Sequence, residues 1–517
     1  QRYSDFLSVR ADHVSQRRDS VAPRSLMRVP QRTNATEFVQ QTHPKAQTVT
    51  TTTLPAEPVV FPLPVYIPPR RPRSVVRKRT SWSKRMLRGV ATTLGVVLLM
   101  GGFLFARAYE NVHKVFRGTD TVAALSASRV APGLLKGEGD GRVNILLLGI
   151  GGQRHDGGDL TDTMIVLSVD PVNNKAAMLS VPRDLWVKMP TAYFGAYQKI
   201  NAAYSSGKYT YLGKADQAST NQQAIEAGFA SVDQAVGDVL GITISYHILA
   251  DFKAFQRAVD TVDGVMLDVK DELYDPTMAW ENANNPVLAP AGLQTMNGKR
   301  ALMYARSRET SSDFARSERQ RQLLVALKQK VLTLGTLSNP AKIDGLMNAF
   351  GSNVQTDLST KAATRLYDIM KKIPDSDIGS LSLTSPASLV TTDRVGAASV
   401  VRPKAGFNTY SEIQAYVKAQ LPDGYLVKEH ANVYVVGASD ALREHTVTTL
   451  AGYGYYISGS SVDQMVPGGA AIVDLSDGDN PYTLHYLQDR YAIAAQTAMP
   501  ANVQVPAGAQ FVIIAGT

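Results

Sequence analysis

A mixed central sheet flanked by helices, an α/β sandwich, is the fold that residues 141–421 of this 517-residue sequence predict. Three observations carry the prediction. Short apolar runs bounded by glycine, proline or asparagine recur, as buried strands do. Segments with helical spacing of apolar residues alternate with them. A second alternation, β-α-β-β-α-β, fills 431–517 and predicts a small separate α/β module.

The elements follow in order. NILLLGI (144–150) reads as a buried strand. TMIVLSVD (163–170) and KAAMLSVP (175–182) are two more, joined by the turn residues Pro171-Val172-Asn173-Asn174. QQAIEAGFASVDQAVGDVLG (222–241) is helical, and 246–269 reads as strand, helix, strand. ALMYARSR (301–308) is expected as a strand. FARSERQRQLLVALKQKVLTLG (314–335) is a long helix ending at Gly335. Helices are also expected over 340–354, 360–373 and 411–421, and 422–430 reads as a linker to the second module.

Ahead of the sheet, the charge is unevenly spread. The formal charge of +9 divides into about +12 for residues 1–88 and about −3 for the rest. The basicity belongs to a tail rich in Arg, Gln, Thr and Pro, residues 1–86, that reads as disordered. Gly89 to Ala106 carries no charge and, at about 1.5 Å per residue, just reaches across a bilayer core of about 30 Å. Arg70, Arg71, Arg73, Arg77, Lys78, Arg79, Lys84, Arg85 and Arg88 flank it on the N-terminal side without an acidic residue between them. The positive-inside rule then predicts a single membrane span at 87–109, a cytoplasmic N-terminus, and a stalk (110–140) and folded domains outside. The slightly acidic bulk and the lack of a basic recognition helix argue against nucleic acid as a partner. Without cysteine the chain has neither disulfides nor thiolate metal sites.

Two constellations carry chemistry. If the turn is centred near 172–173, Asp162 and Arg183 oppose each other at the open end of the hairpin, with Cβ atoms roughly 5 Å apart. The preceding loop, GIGGQRHDGGDLTD (149–162), is rich in glycine for close backbone approach and in Asp for a hard cation. By itself the pair reads first as a cross-strand salt bridge beside a flexible loop. The second constellation follows it in sequence. Arg306 and Arg308, two apart on the expected strand, share a face. Asp313, Arg316 and Gln320 share one stripe at the start of the next helix, where the dipole favours an anion. Arginines converging on one loop suit bidentate phosphate binding, with solvated surface charge as the alternative. Lys199 in QKINAAY (198–204) offers one more cation.

NILLLGI, LTDTMIVLSVD, LSVPRDLWV, KINAAY, VDGVMLDV and QTMNGKRALMYARSR followed by DFARSERQ resemble, in order, the motifs of the LytR-CpsA-Psr family over roughly 141–421. Residues 431–517 are similar to the LytR-associated C-terminal module. The resemblance implies an α/β domain that binds a polyprenyl pyrophosphate lipid. It also implies transfer of a phosphoglycopolymer from that lipid to peptidoglycan with Mg²⁺. Matched position by position, Asp162 is a magnesium-associated Asp and Arg183 the catalytic Arg. Lys199, Arg306, Arg308, Asp313, Arg316 and Gln320 match the pyrophosphate-contacting set. Two departures stand out. The RSDT-like motif reads Leu160-Thr161-Asp162-Thr163, without its Arg. Gly151 stands where the family often has an Asp, so Asp156 or Asp159 is the expected replacement ligand. A lipid-linked glycan holder without turnover, a pyrophosphatase and a transcriptional regulator are the competing functions, the last disfavoured by the translocated domain.

Overall fold

In the computed structural model the described residues are 118, 122–126, 130–152, 158–214, 221–307, 313–332, 351, 353–466, 468–501 and 503–516. All of them belong to one unit, Thr80–Thr517. The expected tail and the expected span at 87–109 lie outside them. Among the described residues no helix is long and apolar enough to cross a membrane.

Strands β1 (Val143–Ile150), β2 (Thr161–Asp170), β3 (Lys175–Ser180), β4 (Tyr246–Asp251), β5 (Val354–Thr356) and β6 (Ile378–Ser382) form the central sheet in the order β5-β4-β1-β2-β3-β6. β1–β4 and β3–β6 are parallel pairs, and β1–β2, β2–β3 and β4–β5 are antiparallel. The β2–β3 register, Asp170↔Lys175 to Ile165↔Ser180, is the one predicted from a turn at 172–173. Asp170 closes that turn by accepting the N–H groups of Val172 and Asn173, both at 3.0 Å.

Alternation along the strands sends successive side chains to opposite faces. Leu146, Leu148 and Ile150 of β1 pack under α1 (Ala203–Lys214), α2 (Asn221–Leu240) and the later helix Ser411–Gln420, through Tyr204, Phe229, Val236 and Val417. Val143 and Ile145 pack on the other face against the helix Thr360–Met370 through Ala362 and Ile369. Each such fully buried side chain contributes about 1.5–3 kcal/mol of burial energy. Beyond this face lie α3 (Phe252–Thr261), α4 (Gly298–Arg306) and α5 (Asp313–Leu332). A ribbon, Val265–Val269 with Gly292–Met296, shares their core.

Several expectations are corrected. ALMYARSR is not a strand: residues 298–306 are helix α4, capped by Asn297, whose side chain accepts the Arg300 N–H. The shared strand face for Arg306 and Arg308 therefore does not exist. The expected helix over 340–354 gives way to β5 at its end, and 340–350 lie outside the described residues. The expected linker 422–430 contains a helix, Gly424–Glu429, whose Tyr425 and Leu426 are core residues. Part of the expected stalk is likewise packed: Val130 and Leu135 join that same core.

That core belongs to the C-terminal sheet. Strands β7 (Val433–Gly437), β8 (Ile457–Val462), β9 (Ala470–Asp474) and β10 (Phe511–Ala515) run in the order β8-β7-β10-β9. Helices Asp440–Gly452 and Pro481–Tyr491 complete the β-α-β-β-α-β order read from the sequence. The two sheets meet at a buried network. Asp423 accepts the N–H groups of Gly139 and Gly141 and the Tyr486 hydroxyl, and Arg142 lies 3.6 Å from Asp170.

Candidate functional site

A cavity of about 770 Å³ opens between the central sheet and helices α3, α4 and α5. Its floor is apolar: Leu147, Ile165, Ile248 and Ala250 come from the strands, and Phe255, Leu323, Leu324 and Leu327 from the helices. Its mouth is not. Asp162, Arg183, Asp251, Arg306, Arg316 and Gln320 stand there, beside Gly151. Five residues picked out in the sequence, Asp162, Arg183, Arg306, Arg316 and Gln320, are thus brought to one opening by strand β2, the segment after β3 and helices α4 and α5.

Asp162 and Arg183 meet as their register predicts. Arg183 Nη1 donates to Asp162 Oδ1 at 2.5 Å, and the two side chains remain about a third exposed. Arg183 Nε lies 3.5 Å from Asp184, which also accepts from Lys199 Nζ at 2.7 Å. Lys199 is therefore a neighbour of the cluster through Asp184 and does not line the cavity.

Arg306 ends α4. Its Nη1 donates to both Glu281 oxygens, at 3.1 and 3.0 Å, and its guanidinium lies over the Phe252 ring at 4.8 Å. Asp275, Ser307 and Arg319 hold this corner rigid from below. Ser307 Oγ donates to Asp275 at 2.6 Å. Arg319 donates to the carbonyls of Tyr304 and Ser307. Burial lowers the Arg319 pKa, and Tyr304 and Asp275 oppose that shift. Gln320 donates to the Ala305 carbonyl at 3.3 Å, tying α5 to α4 at the mouth. Asp313 opens α5, as expected for a residue at the helix start. Arg308 and Asp156 lie outside the described residues, and so does the Asp313 side chain.

Asp159 is elsewhere. It accepts from Lys208 at 2.8 Å and from the Tyr209 hydroxyl at 3.0 Å, and it borders a second cavity. Burial raises the Tyr209 pKa, and Asp159 raises it further. The carboxylate at the apolar cavity's mouth beside Gly151 is instead Asp251. It pairs in register with Ile150 and caps α3 by accepting the Ala254 N–H at 2.7 Å. Asp251 was not singled out in the sequence, although an Asp between a strand and a helix marks a helix start. Glu281 carried no motif. Arg319 lies inside DFARSERQ, four residues before buried Leu323 on the inner face of α5, and was not singled out there.

Among the described residues no group of three or more His or carboxylate side chains gathers to cage a metal. Mg²⁺ needs no such cage, because it is held by one or two carboxylates together with substrate phosphates. Asp162 and Asp251 on one cavity fit that donor set.

The sequence model of the LytR_cpsA_psr family matches residues 106–406. The chain is similar to the polyisoprenyl-teichoic acid–peptidoglycan teichoic acid transferase TagV of Bacillus subtilis (strain 168). The two are 28% identical over 304 residues, 58% of this chain and 70% of that protein. It is also similar to the cell wall biosynthesis protein LcpA of Corynebacterium glutamicum, 32% identical over 209 residues, 38% of each chain. The crystal structure of B. subtilis TagV aligns with 54% of this chain and 97% of that one, at 27% identity and a TM-score of 0.41.

Proposed function

Because the chain belongs to the LytR_cpsA_psr family, we propose that it transfers a phosphoglycopolymer from a polyprenyl pyrophosphate lipid to peptidoglycan, outside a membrane in which residues 87–109 anchor it. The observation that carries the proposal is the apolar cavity with three arginines at its mouth. An apolar floor suits a prenyl tail, whose burial is worth about 0.8 kcal/mol per CH₂. Arg183, Arg306 and Arg316 supply planar donors for the pyrophosphate at the point where tail meets headgroup.

The chemistry is positioning and charge neutralisation. A sugar hydroxyl of peptidoglycan attacks the phosphorus nearest the glycopolymer and gives up its proton to a carboxylate at the mouth, Asp162 or Asp251. The bond from that phosphorus to the bridging oxygen breaks, and polyprenyl phosphate leaves. Arg306, braced by Glu281 and Phe252, holds the pyrophosphate. Arg183 stands over the reacting phosphorus, where its guanidinium stabilises the charge that builds up on the oxygens. Asp162 orients Arg183 through their hydrogen bond. Asp162 and Asp251 are the residues that would hold Mg²⁺, which when bound neutralises phosphate charge.

The test is transfer by the purified protein from a synthetic lipid-pyrophosphate donor to peptidoglycan, following both wall-bound glycan and released polyprenyl phosphate. Full activity in Arg183→Ala removes the role given to that arginine. Gly151, in the place of a carboxylate, favours as second reading a protein that holds the lipid-linked glycan without turnover. Tight donor binding with no release of polyprenyl phosphate identifies it, and free phosphoglycan as the product identifies a pyrophosphatase.

A further inference from the structure

A second cavity, about 1080 Å³, adjoins the first and differs from it in kind. The two lie on opposite faces of the same strands. Ile248 and Ala250 of β4 and Thr356 of β5 face the apolar cavity, while Leu249 and Gln355 between them face the second. They join over the strand ends, where Gly151, Asp251, Phe252 and Arg306 border both. The second cavity carries amides and cations: Asn221, Gln256, Asn353 and Gln355, with Lys253 and Lys299 exposed at its edge. Of its three anions, Asp159 is engaged by Lys208, Glu281 by Arg306, and Asp251, at the join with the first cavity, accepts the Ala254 N–H. Trp280, 73% exposed, borders the same space and precedes the Glu281 that braces Arg306.

We propose that this second cavity is a glycan-binding cleft that delivers a sugar strand to the phosphate site at Arg306, with Trp280 as its stacking platform. An exposed indole offers a flat apolar face to a pyranose ring while its rim stays polar. Amide side chains, each with donors and an acceptor, match sugar hydroxyls and N-acetyl groups. Lys253 and Lys299 suit a glycan bearing carboxylate or phosphate substituents. Trp280 is 73% exposed and borders the cavity, so its ring face is open to a ligand there. The proposal rests on the transferase function above and names where its carbohydrate lies, on the sheet face opposite the lipid.

The test uses the full chain in detergent micelles and titration calorimetry with three probes. The first is a lipid-free tetrasaccharide of alternating N-acetylglucosamine and N-acetylmuramic acid. The second is a lipid-free oligomer of phosphate-linked sugars. The third is a sugar-free polyprenyl pyrophosphate. At least one saccharide probe is expected to bind. Trp280→Ala and the double change Lys253→Ala with Lys299→Ala are each expected to weaken it tenfold or more, with polyprenyl pyrophosphate binding unchanged within twofold. Binding of the muramyl tetrasaccharide makes the cleft the acceptor's site, and binding of the phosphate-linked sugar oligomer makes it the site of the donor's own polymer. If neither saccharide binds while polyprenyl pyrophosphate does, or if both variants keep saccharide affinity within twofold, the cleft assignment is overturned and the transferase function stands. Saccharide binding that is lost in Trp280→Ala, without any binding of polyprenyl pyrophosphate, supports the cleft and overturns the lipid site instead.

Discussion

Strand β2 carries Asp162 near its start and Asp170 at its end, and each carboxylate faces an arginine: Arg183 at one end, Arg142 at the other. The pairs share chemistry and differ in setting. Arg142 and Asp170 are 8% and 4% exposed, and Arg142 also donates to Ser168 and to the Pro422 carbonyl. Desolvation by burial lowers the Arg142 pKa, opposed by Asp170 and Asp423. Arg183 and Asp162 are 30% and 39% exposed and share a single hydrogen bond at a cavity mouth. The buried pair joins two sheets, and the open pair stays available to a ligand. Burial with full hydrogen bonding makes an ion pair a structural joint, and partial exposure keeps it exchangeable.

The sharpest break of this comparison is Arg142→Ala. It strands Asp170 and Asp423 beside a vanished partner, and a loss of about 3–5 kcal/mol is expected in urea unfolding. A loss under 1 kcal/mol would mean that the joint contributes little. Arg183→Ala is the mirror experiment. Its pair is exposed enough that stability should change by about 1 kcal/mol or less. Transfer should fall by about 10²–10³, the scale of a lost oxyanion donor. Gly424→Ala probes the joint more gently. A Cβ there would meet Asp170 Oδ1 at 2.3 Å, so about 1–3 kcal/mol of overpacking is expected as a lowered Tm. Smallest is Glu281→Gln. It weakens the brace on Arg306 without burying a charge. A few-fold rise in KM for the lipid donor, with unfolding within about 1 kcal/mol of wild type, is the expected outcome.

Legibility in the sequence followed the range of the interactions. The β2–β3 hairpin and the meeting of Asp162 with Arg183 were readable because a turn sets register and register sets pairing. The family motifs picked out Arg306, Arg316 and Gln320, which line one cavity, although the element proposed for Arg306 was wrong. Ala301 to Tyr304 are all buried, and periodicity cannot tell a short run buried on every side from a strand. The cap that decides for helix, Asn297 on the Arg300 N–H, is a single local bond. Lys199 was grouped with the pyrophosphate contacts, yet Asp184 holds it outside the cavity. Asp159 was expected as a metal ligand, yet Lys208 and Tyr209 hold it in the second cavity. Neither pairing has a sequence signal: the short ladder of 186–188 with 197–199 brings Lys199 to Asp184, and helix α1 packing back on the loop brings Lys208 and Tyr209 to Asp159.

By itself the sequence determined the alternation of strands and helices, the register of the first hairpin, the family and most of the arginines at the site. These follow from local periodicity, turn chemistry and short ordered motifs, all of which act over a few residues. Only the tertiary structure decided where cavities open on the two faces of the sheet. It set Leu323, Leu324 and Leu327 along the wall of a cavity as well as against the core, and it brought Asp251 to the place beside Gly151. It also turned residues 422–430 from a spacer into a joint between two sheets. Those outcomes depend on contacts between residues far apart in the chain, where the side-chain pattern of any one segment is compatible with several partners and packing selects one.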